Sequence, residues 1–181
     1  MRKLVAALFI SLDGVTESPD KWQFDNFDQD MMAGMTTQLA SQDAVLLGRV
    51  TFQEWASYWP TSTDEPFASY INNVPKHVVS TTLNKVDWKN STLLKKNLVE
   101  EINKLKQQPG KNIGVAGSPT LVHSLLEHDL LDELILMIHP VVVGKGKRLF
   151  KDGDNLKRLT LVDSKITRTG VALLTYQPRE K

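Results

Sequence analysis

The chain has 181 residues and balances Lys+Arg 22 against Asp+Glu 21, so a formal charge of +1 gives no bias toward nucleic acid or an anionic membrane surface. Zero cysteines exclude disulfides, thiolate metal sites, Cys nucleophiles and Fe–S clusters, and fit a reducing compartment. With hydrophobic residues at 41% and charged residues at 24%, the chain is globular in composition, long enough to bury about 70% of its unfolded surface in one core. The expectation is a single domain over 1–181, cytoplasmic, with no membrane or nucleic-acid partner.

The first run, Leu4–Ile10, is apolar without alternation, the pattern of a strand covered on both faces and central to a sheet. It is too short to span a bilayer and runs into Ser11-Leu12-Asp13-Gly14 with no small-residue cleavage site. A long polar stretch follows, carrying Pro19, Trp22, Phe24 and Phe27, before Met32, Met35 and Leu39 recur at near-helical spacing behind Asp28 and Asp30. A loop of that length invites a functional reading. Ala44-Val45-Leu46-Leu47 reads as a second buried strand ending at Gly48. Thr51-Phe52-Gln53-Glu54 then has the form of a capping box, Thr51 as N-cap and Glu54 as its partner.

Residues 65–74 are weakly helical, and Pro75 opens the β-branched run Lys76–Leu83, with hydroxyls clustered at its exit. After Thr92-Leu93-Leu94, a second capping box at Asn97–Glu100 leads a helix with Leu98, Ile102 and Leu105 on one face, ended by Pro109-Gly110. Ile113–Ala116 is a short strand broken at Gly117-Ser118-Pro119, where Ser at the N-cap and Pro at the first helical position start a helix carrying Leu121, Val122, Leu125 and Leu126 inward. Leu134–Ile138 and Pro140–Gly144 suggest a strand pair or one long bent strand. The tail holds two strand-like runs around a turn at Arg168-Thr169-Gly170. Strands alternating with helices predict a three-layer α/β/α sandwich with a mostly parallel central sheet and a C-terminal antiparallel hairpin.

Strand-to-helix junctions concentrate the candidate chemistry, because a helix N-terminus offers free N–H groups and partial positive charge to anions. Gly48-Arg49-Val50-Thr51 places a glycine, a forked cation and a hydroxyl at one such junction, and Gly117-Ser118-Pro119-Thr120 forms another. With Ser80-Thr81-Thr82 at a third strand end, they suggest a surface for a ligand with several phosphates; the competing reading is ordinary caps and a solvated arginine. No G-x-G-x-x-G, P-loop or G-x-S-x-G motif occurs. His77, His123, His128 and His139 show no i,i+4 spacing, so no helical zinc pair is expected and each reads as structural or surface. Lys145, Lys147, Arg148 and Lys151 read as a solvated turn.

Ser11–Gly14, Asp43–Thr51, Pro75–Leu83, Ala116-Gly117-Ser118 and the stretch from Asp132 to Gly146 together resemble the RibD C-terminal reductase family, in order and over nearly the whole chain. The resemblance implies a dihydrofolate reductase-type fold and hydride transfer from NADPH to a small pyrimidine- or pterin-like heterocycle, as in the reductase step of riboflavin biosynthesis. It implies that Gly48, Arg49 and Thr51 hold the pyrophosphate and 2′-phosphate side, Ser80 and Thr81 the adenosine phosphate end, and Gly117, Ser118, Thr120 and Leu121 the pyrophosphate through backbone N–H groups. Asp28, at the start of the first helix, is the implied proton donor, with Asp13 and Asp30 as the other candidates; Asp13 also reads as a plain turn residue. Trp22, Phe24 and Phe27 would either stack a planar substrate or pin the loop. Members of the family commonly form homodimers.

The zinc deaminase that accompanies this domain in bifunctional members needs cysteines the chain lacks. Ala116-Gly117-Ser118 also stands where those members usually carry Glu-Gly-Gly. The expectation is a stand-alone reductase, with a dihydrofolate reductase and a non-catalytic nucleotide-binding module of the same fold as alternatives.

Overall fold

The computed structural model describes residues 1–179. Strands β1 (Leu4–Ser11), β2 (Gln42–Gly48), β3 (Lys76–Val79), β4 (Ser91–Leu94), β5 (Asn112–Ala116), β6 (Glu133–His139), β7 (Leu159–Ile166) and β8 (Ala172–Pro178) form one eight-stranded sheet in the order β4-β3-β2-β5-β1-β6-β8-β7. The pairings from β4 through β6 are parallel, and β8 runs antiparallel to both β6 and β7. The helices are α1 (Gln29–Ala40), α2 (Arg49–Tyr58), α3 (Phe67–Asn73), α4 (Leu98–Gln107) and α5 (Pro119–Glu127).

The apolar run of β1 is explained by its place between β5 and β6, where its two faces serve different layers. Leu4, Ala6, Leu8 and Ile10 enter one core with Ile102 and Leu105 of α4 and Leu121, Val122 and Leu125 of α5. On the opposite face, Val45 and Leu47 of β2 meet Phe52 of α2, Ile71 of α3 and Trp88 in a second core. Helix α1 lies over that same face at β8, with Gly34 against Leu173, and packs loosely: Met31 is its one buried residue. Phe9, Met137 and Leu173, which are register partners across β1, β6 and β8, stay only half-buried beneath it.

Two expected boundaries shift. Helix α2 starts at Arg49 with Gly48 as N-cap, so Thr51 lies inside the first turn and is not the cap of a capping box; its hydroxyl is engaged elsewhere. The apolar stretch after Pro140 is a loop and not a strand. Leu12 donates to the carbonyl of Val141, and Gly144 and Gly146 take positive φ values of 80° and 127° that no strand permits. The C-terminal hairpin forms as expected, with Gly170 at φ 88° in its turn.

Lys76 opens β3 at the edge opposite the helix N-termini and is wholly buried. Its Nζ donates to the carbonyls of Ile71 at 2.8 Å and Val74 at 3.0 Å and lies 4.6 Å from the centre of the Trp88 ring. These groups satisfy the ammonium without a counter-ion, and burial pulls its pKa down from 10.5 to about 8. A lysine that releases its proton more easily folded than unfolded makes the fold more stable as pH rises from about 8 to 10.5, where the unfolded chain still binds the proton. Across that window, urea denaturation is expected to show wild type gaining about 1 to 3 kcal/mol relative to Lys76→Met. Parallel pH profiles for the two proteins would refute this.

Candidate functional site

Because the strands from β4 to β6 are parallel, the carboxyl ends of β2, β3, β5, β1 and β6 all open on one edge. From β2 the chain crosses to β3 through helices on one face; from β5 it crosses to β6 through α5 on the other. The crossovers therefore part between β2 and β5, the place where open α/β sheets form a ligand crevice.

That crevice is laced together by one chain of hydrogen bonds. Gly48 N–H donates to Ser118 Oγ at 2.8 Å, Ser118 Oγ donates to Thr51 Oγ1 at 2.9 Å, and Thr51 Oγ1 donates to the Gly117 carbonyl at 2.8 Å. Ser118 thus heads α5 without capping it, since its hydroxyl is used across the crevice. Gly117 has φ 57°, and a Cβ there would sit 2.7 Å from Trp55 Cζ2 and 3.0 Å from Thr51 Cγ2. Glycine is required both by conformation and by space. The result is two helix N-termini at fixed spacing, each with backbone N–H groups that have no partner within the helix.

The other sequence candidates distribute around this pair. Arg49 is exposed, its guanidinium donating to Gln53 Oε1 at 2.9 Å, and Thr120 and Thr81 are exposed at the same edge. Leu121 is buried against the Gly48 backbone. Ser80 is buried at the end of β3, and its hydroxyl accepts from the N–H groups of Thr82 and Leu83 at 3.2 and 3.0 Å, so it shapes the strand exit.

The two candidate acids lie elsewhere on the edge and are not together. The Asp13 carboxylate accepts from Ser11 Oγ at 2.6 Å, Val143 N–H at 3.1 Å and Gly144 N–H at 2.8 Å. Those bonds, the serine hydroxyl first, pull its pKa down to about 2. Asp13 is the post to which the 141–148 loop is tied, with Arg148 Nε returning to the Asp13 carbonyl at 2.8 Å. Asp28 is the N-cap of α1, accepting from Met31 N–H at 3.0 Å, and its other oxygen accepts from the backbone N–H and the hydroxyl of Thr169, each at 3.0 Å. Its pKa is lowered, the Met31 N–H being the main cause. Asp28 therefore locks α1 to the β7–β8 turn. Asp30 continues that lock with Lys165 at 3.2 Å.

Sequence reading did not single out the residue at the end of β6. His139 pairs in register with Ser11, is fully buried, and has no hydrogen-bond partner at Nδ1 or Nε2 among the described residues. Its ring is met edge-on by Phe9 at 5.7 Å and Trp22 at 5.5 Å, and Phe9 in turn meets Phe27 at 6.4 Å. Of the three loop aromatics, Trp22 and Phe27 thus face this box, while Phe24 is 64% exposed and touches Phe27 alone of the rings. The signal available in the sequence was a polar residue closing an apolar strand immediately before a proline.

Comparisons with known proteins give a family and a fold. Residues 2–173 match the family model described as the RibD C-terminal domain. The uncharacterized protein YyaP of Bacillus subtilis (strain 168) is 34% identical over 182 residues, covering 97% of this chain and 94% of that protein. Among solved structures, a pyrimidine reductase-like protein from Corynebacterium diphtheriae superposes with TM-score 0.67 at 16% identity, covering 99% of this chain and 93% of that one. Dihydrofolate reductase from Enterococcus faecalis, solved with NADP(H), superposes with TM-score 0.61 at 14% identity, covering 98% and 97%.

The crevice geometry makes a direct prediction. Ser118→Ala leaves the Gly48 N–H without its acceptor and the Thr51 oxygen without its donor, and is expected to cost about 1 to 3 kcal/mol of stability. Chemical denaturation would read this as a lower midpoint at unchanged slope. A midpoint equal to wild type would show that the two junctions are held by other contacts.

Proposed function

Since the chain belongs to the RibD C-terminal domain family, we propose that it is an NADPH-dependent reductase that delivers hydride to a planar heterocycle of pyrimidine or pterin type. The observation carrying this reading is the pair of helix N-termini held across the β2–β5 crevice by Ser118 and Thr51. Two N-termini at fixed spacing suit a pyrophosphate, and Gly117, whose absent Cβ lets Trp55 and Thr51 pack directly against its backbone, keeps the two junctions close together. The exposed Arg49 beside them suits the 2′-phosphate that separates NADPH from NADH. The superposed dihydrofolate reductase, solved with NADP(H), supports the same cofactor.

When bound, NADPH supplies the hydride. In this reading the chain's residues act as follows. Gly48, Thr51, Gly117 and Ser118 shape the crevice, and the backbone N–H groups of Thr120 and Leu121 would donate to the pyrophosphate oxygens. Arg49 meets the 2′-phosphate, while Ser80 and Thr81 line the adenosine phosphate end. Hydride addition to a C=N bond requires a proton at nitrogen. Asp13 and Asp28 spend their carboxylate oxygens on N–H and O–H donors, which also lower their pKa values, so in this reading they position loops and helix and the proton comes by way of water.

Oxidation of NADPH against a panel of pterins, dihydrofolate and ribosylaminopyrimidines tests the reading. Turnover is expected with at least one of them, and its rate should show no carboxylate break between pH 5 and 7. Arg49→Ala is expected to raise the Kd for NADPH about tenfold, the loss of one charge-assisted contact, and to leave NADH binding unchanged. NADPH oxidation at background across the whole panel would instead favour a non-catalytic nucleotide-binding module. Efficient turnover of dihydrofolate alone would make the protein a dihydrofolate reductase.

The expected partner is a second copy. Edge strand β7 exposes Leu161, Val162 and Ile166 by 49%, 48% and 64%, an unpaired apolar edge that a soluble chain ordinarily covers. The chain's accessible surface of 10156 Å² exceeds the roughly 9,000 Å² expected of a monomer this size. Light scattering is expected to give twice the mass of one chain, falling to one chain in Val162→Lys. A monomeric wild type would refute it.

A further inference from the structure

The nucleotide crevice leaves one buried feature of the same edge unexplained. His139 carries two ring nitrogens into the interior and pairs neither of them. Leaving a polar group buried and unpaired costs on the order of 1 to 3 kcal/mol, and a leucine or phenylalanine would fill the same space between Phe9 and Trp22 without that cost. Packing alone therefore does not account for a histidine here. Burial also pushes its pKa down, so at neutral pH the ring carries one N–H donor and one bare acceptor.

Its surroundings are those of a site for a flat ring. Phe9 and Phe27 supply aromatic surface, Phe9 and its neighbour Met137 are only half-buried, and no main-chain or side-chain group competes for the imidazole nitrogens among the described residues. The cover over His139 comes from Trp22, whose indole is half-buried and held by one hydrogen bond, Nε1 to the Glu17 carbonyl at 3.2 Å. The box also lies at a useful distance from the crevice. The sheet order is β5-β1-β6, and with strands about 4.8 Å apart the end of β6 is roughly 10 Å from the end of β5. That spacing matches a cofactor whose phosphates lie at β2 and β5 and whose reactive ring reaches β1.

We infer that His139 is a substrate-binding residue, its imidazole hydrogen-bonding the polar edge of a planar, uncharged nitrogen heterocycle that lies against Phe9 and Phe27. The assignment rests on the reductase reading for the identity of the bound ring as substrate. The contact fixes which edge of the heterocycle enters and hence which ring atom faces the cofactor. A histidine in this position selects rings that present a carbonyl oxygen or ring nitrogen beside an N–H, as pterins and aminouracils do, over apolar rings of equal size.

The test measures binding and stability separately from turnover. Pterin and 5,6-diaminouracil are titrated into the ¹⁵N-histidine-labelled protein in the presence of NADPH, with His139→Leu used to assign the His139 resonances. One of the two heterocycles is expected to shift both His139 ring nitrogens. His139→Leu is expected to raise that heterocycle's Kd at least tenfold, to leave the Kd for NADPH unchanged, and to keep a Tm equal to or above wild type. A Tm below wild type with unchanged heterocycle affinity would show a packing role and overturn the inference. So would binding that leaves the His139 nitrogens unshifted, or no binding of either heterocycle at millimolar concentration. Binding that shifts His139, together with NADPH oxidation at background across the whole panel of pterins, dihydrofolate and ribosylaminopyrimidines, would uphold the site while refuting the reductase reading. Should His139→Leu fail to fold, His139→Gln keeps donor and acceptor atoms in the box and is expected to retain binding within about threefold. Loss of binding in a folded His139→Gln protein would overturn the inference.

Discussion

The structure depends on the way β2 and β5 are held side by side with their helices leaving on opposite faces. In a parallel sheet this parting opens a gap at the carboxyl edge, and any such gap exposes backbone N–H groups that must find partners. Ser118 resolves the problem on the protein's own side of the gap: its hydroxyl takes the Gly48 N–H and passes its proton toward Thr51, which closes the circuit on the Gly117 carbonyl. Four side-chain and backbone groups are thereby satisfied by three hydrogen bonds, without using the N–H groups inside the first turns of the helices. Those remain for whatever anion enters.

Two carboxylates do comparable work for the loops that flank the edge. Asp13 gathers the backbone of Val143 and Gly144, so the turn after β1 and the long loop after β6 are tied together. Asp28 joins the first turn of α1 to Thr169, and Asp30 adds Lys165. Each acts as an anion, since its hydrogen bonds come from N–H and O–H donors that a protonated acid would accept less well. Those donors also lower the pKa values of Asp13 and Asp28. A group poised to give up a proton at neutral pH would need the reverse, burial without donors.

How much of this was legible in the sequence follows from where each residue's partner lies. The run Leu4–Ile10 announced a central strand because both its faces are covered, and Arg168-Thr169-Gly170 announced a hairpin turn because turn chemistry is local. The start of α2 was misplaced for the opposite reason. Thr51 and Glu54 have the spacing of a capping box, yet the hydroxyl of Thr51 finds its acceptor 66 residues away, a competitor that no local pattern reveals. The stretch after Pro140 looked like strand by composition, but its backbone hydrogen bonds are taken by Leu12 and Asp13, which end the ladder at His139. The grouping of Gly48, Thr51, Gly117 and Ser118 was visible as two separate junctions; only the strand order, which puts β5 next to β2, makes them one place. His139 showed in the sequence only as a polar residue closing an apolar strand, because its lack of a hydrogen-bond partner is a property of the fold.

The near-zero charge of the chain sharpens what these placements accomplish. With 22 basic and 21 acidic side chains, no general field draws an anion to the molecule, so recognition must come from groups aimed at one spot. The chain's most deeply buried ammonium, Lys76, stands at the far edge of the sheet and is consumed by two carbonyls and an indole, so it adds nothing to the ligand edge. What remains there is Arg49, two helix starts and a glycine at positive φ. The unpaired ring of His139 gives up stability at this edge, while at the remote edge the buried charge of Lys76 is satisfied. Such a division is expected when one rim of a sheet is shaped by folding and the other by what it must hold.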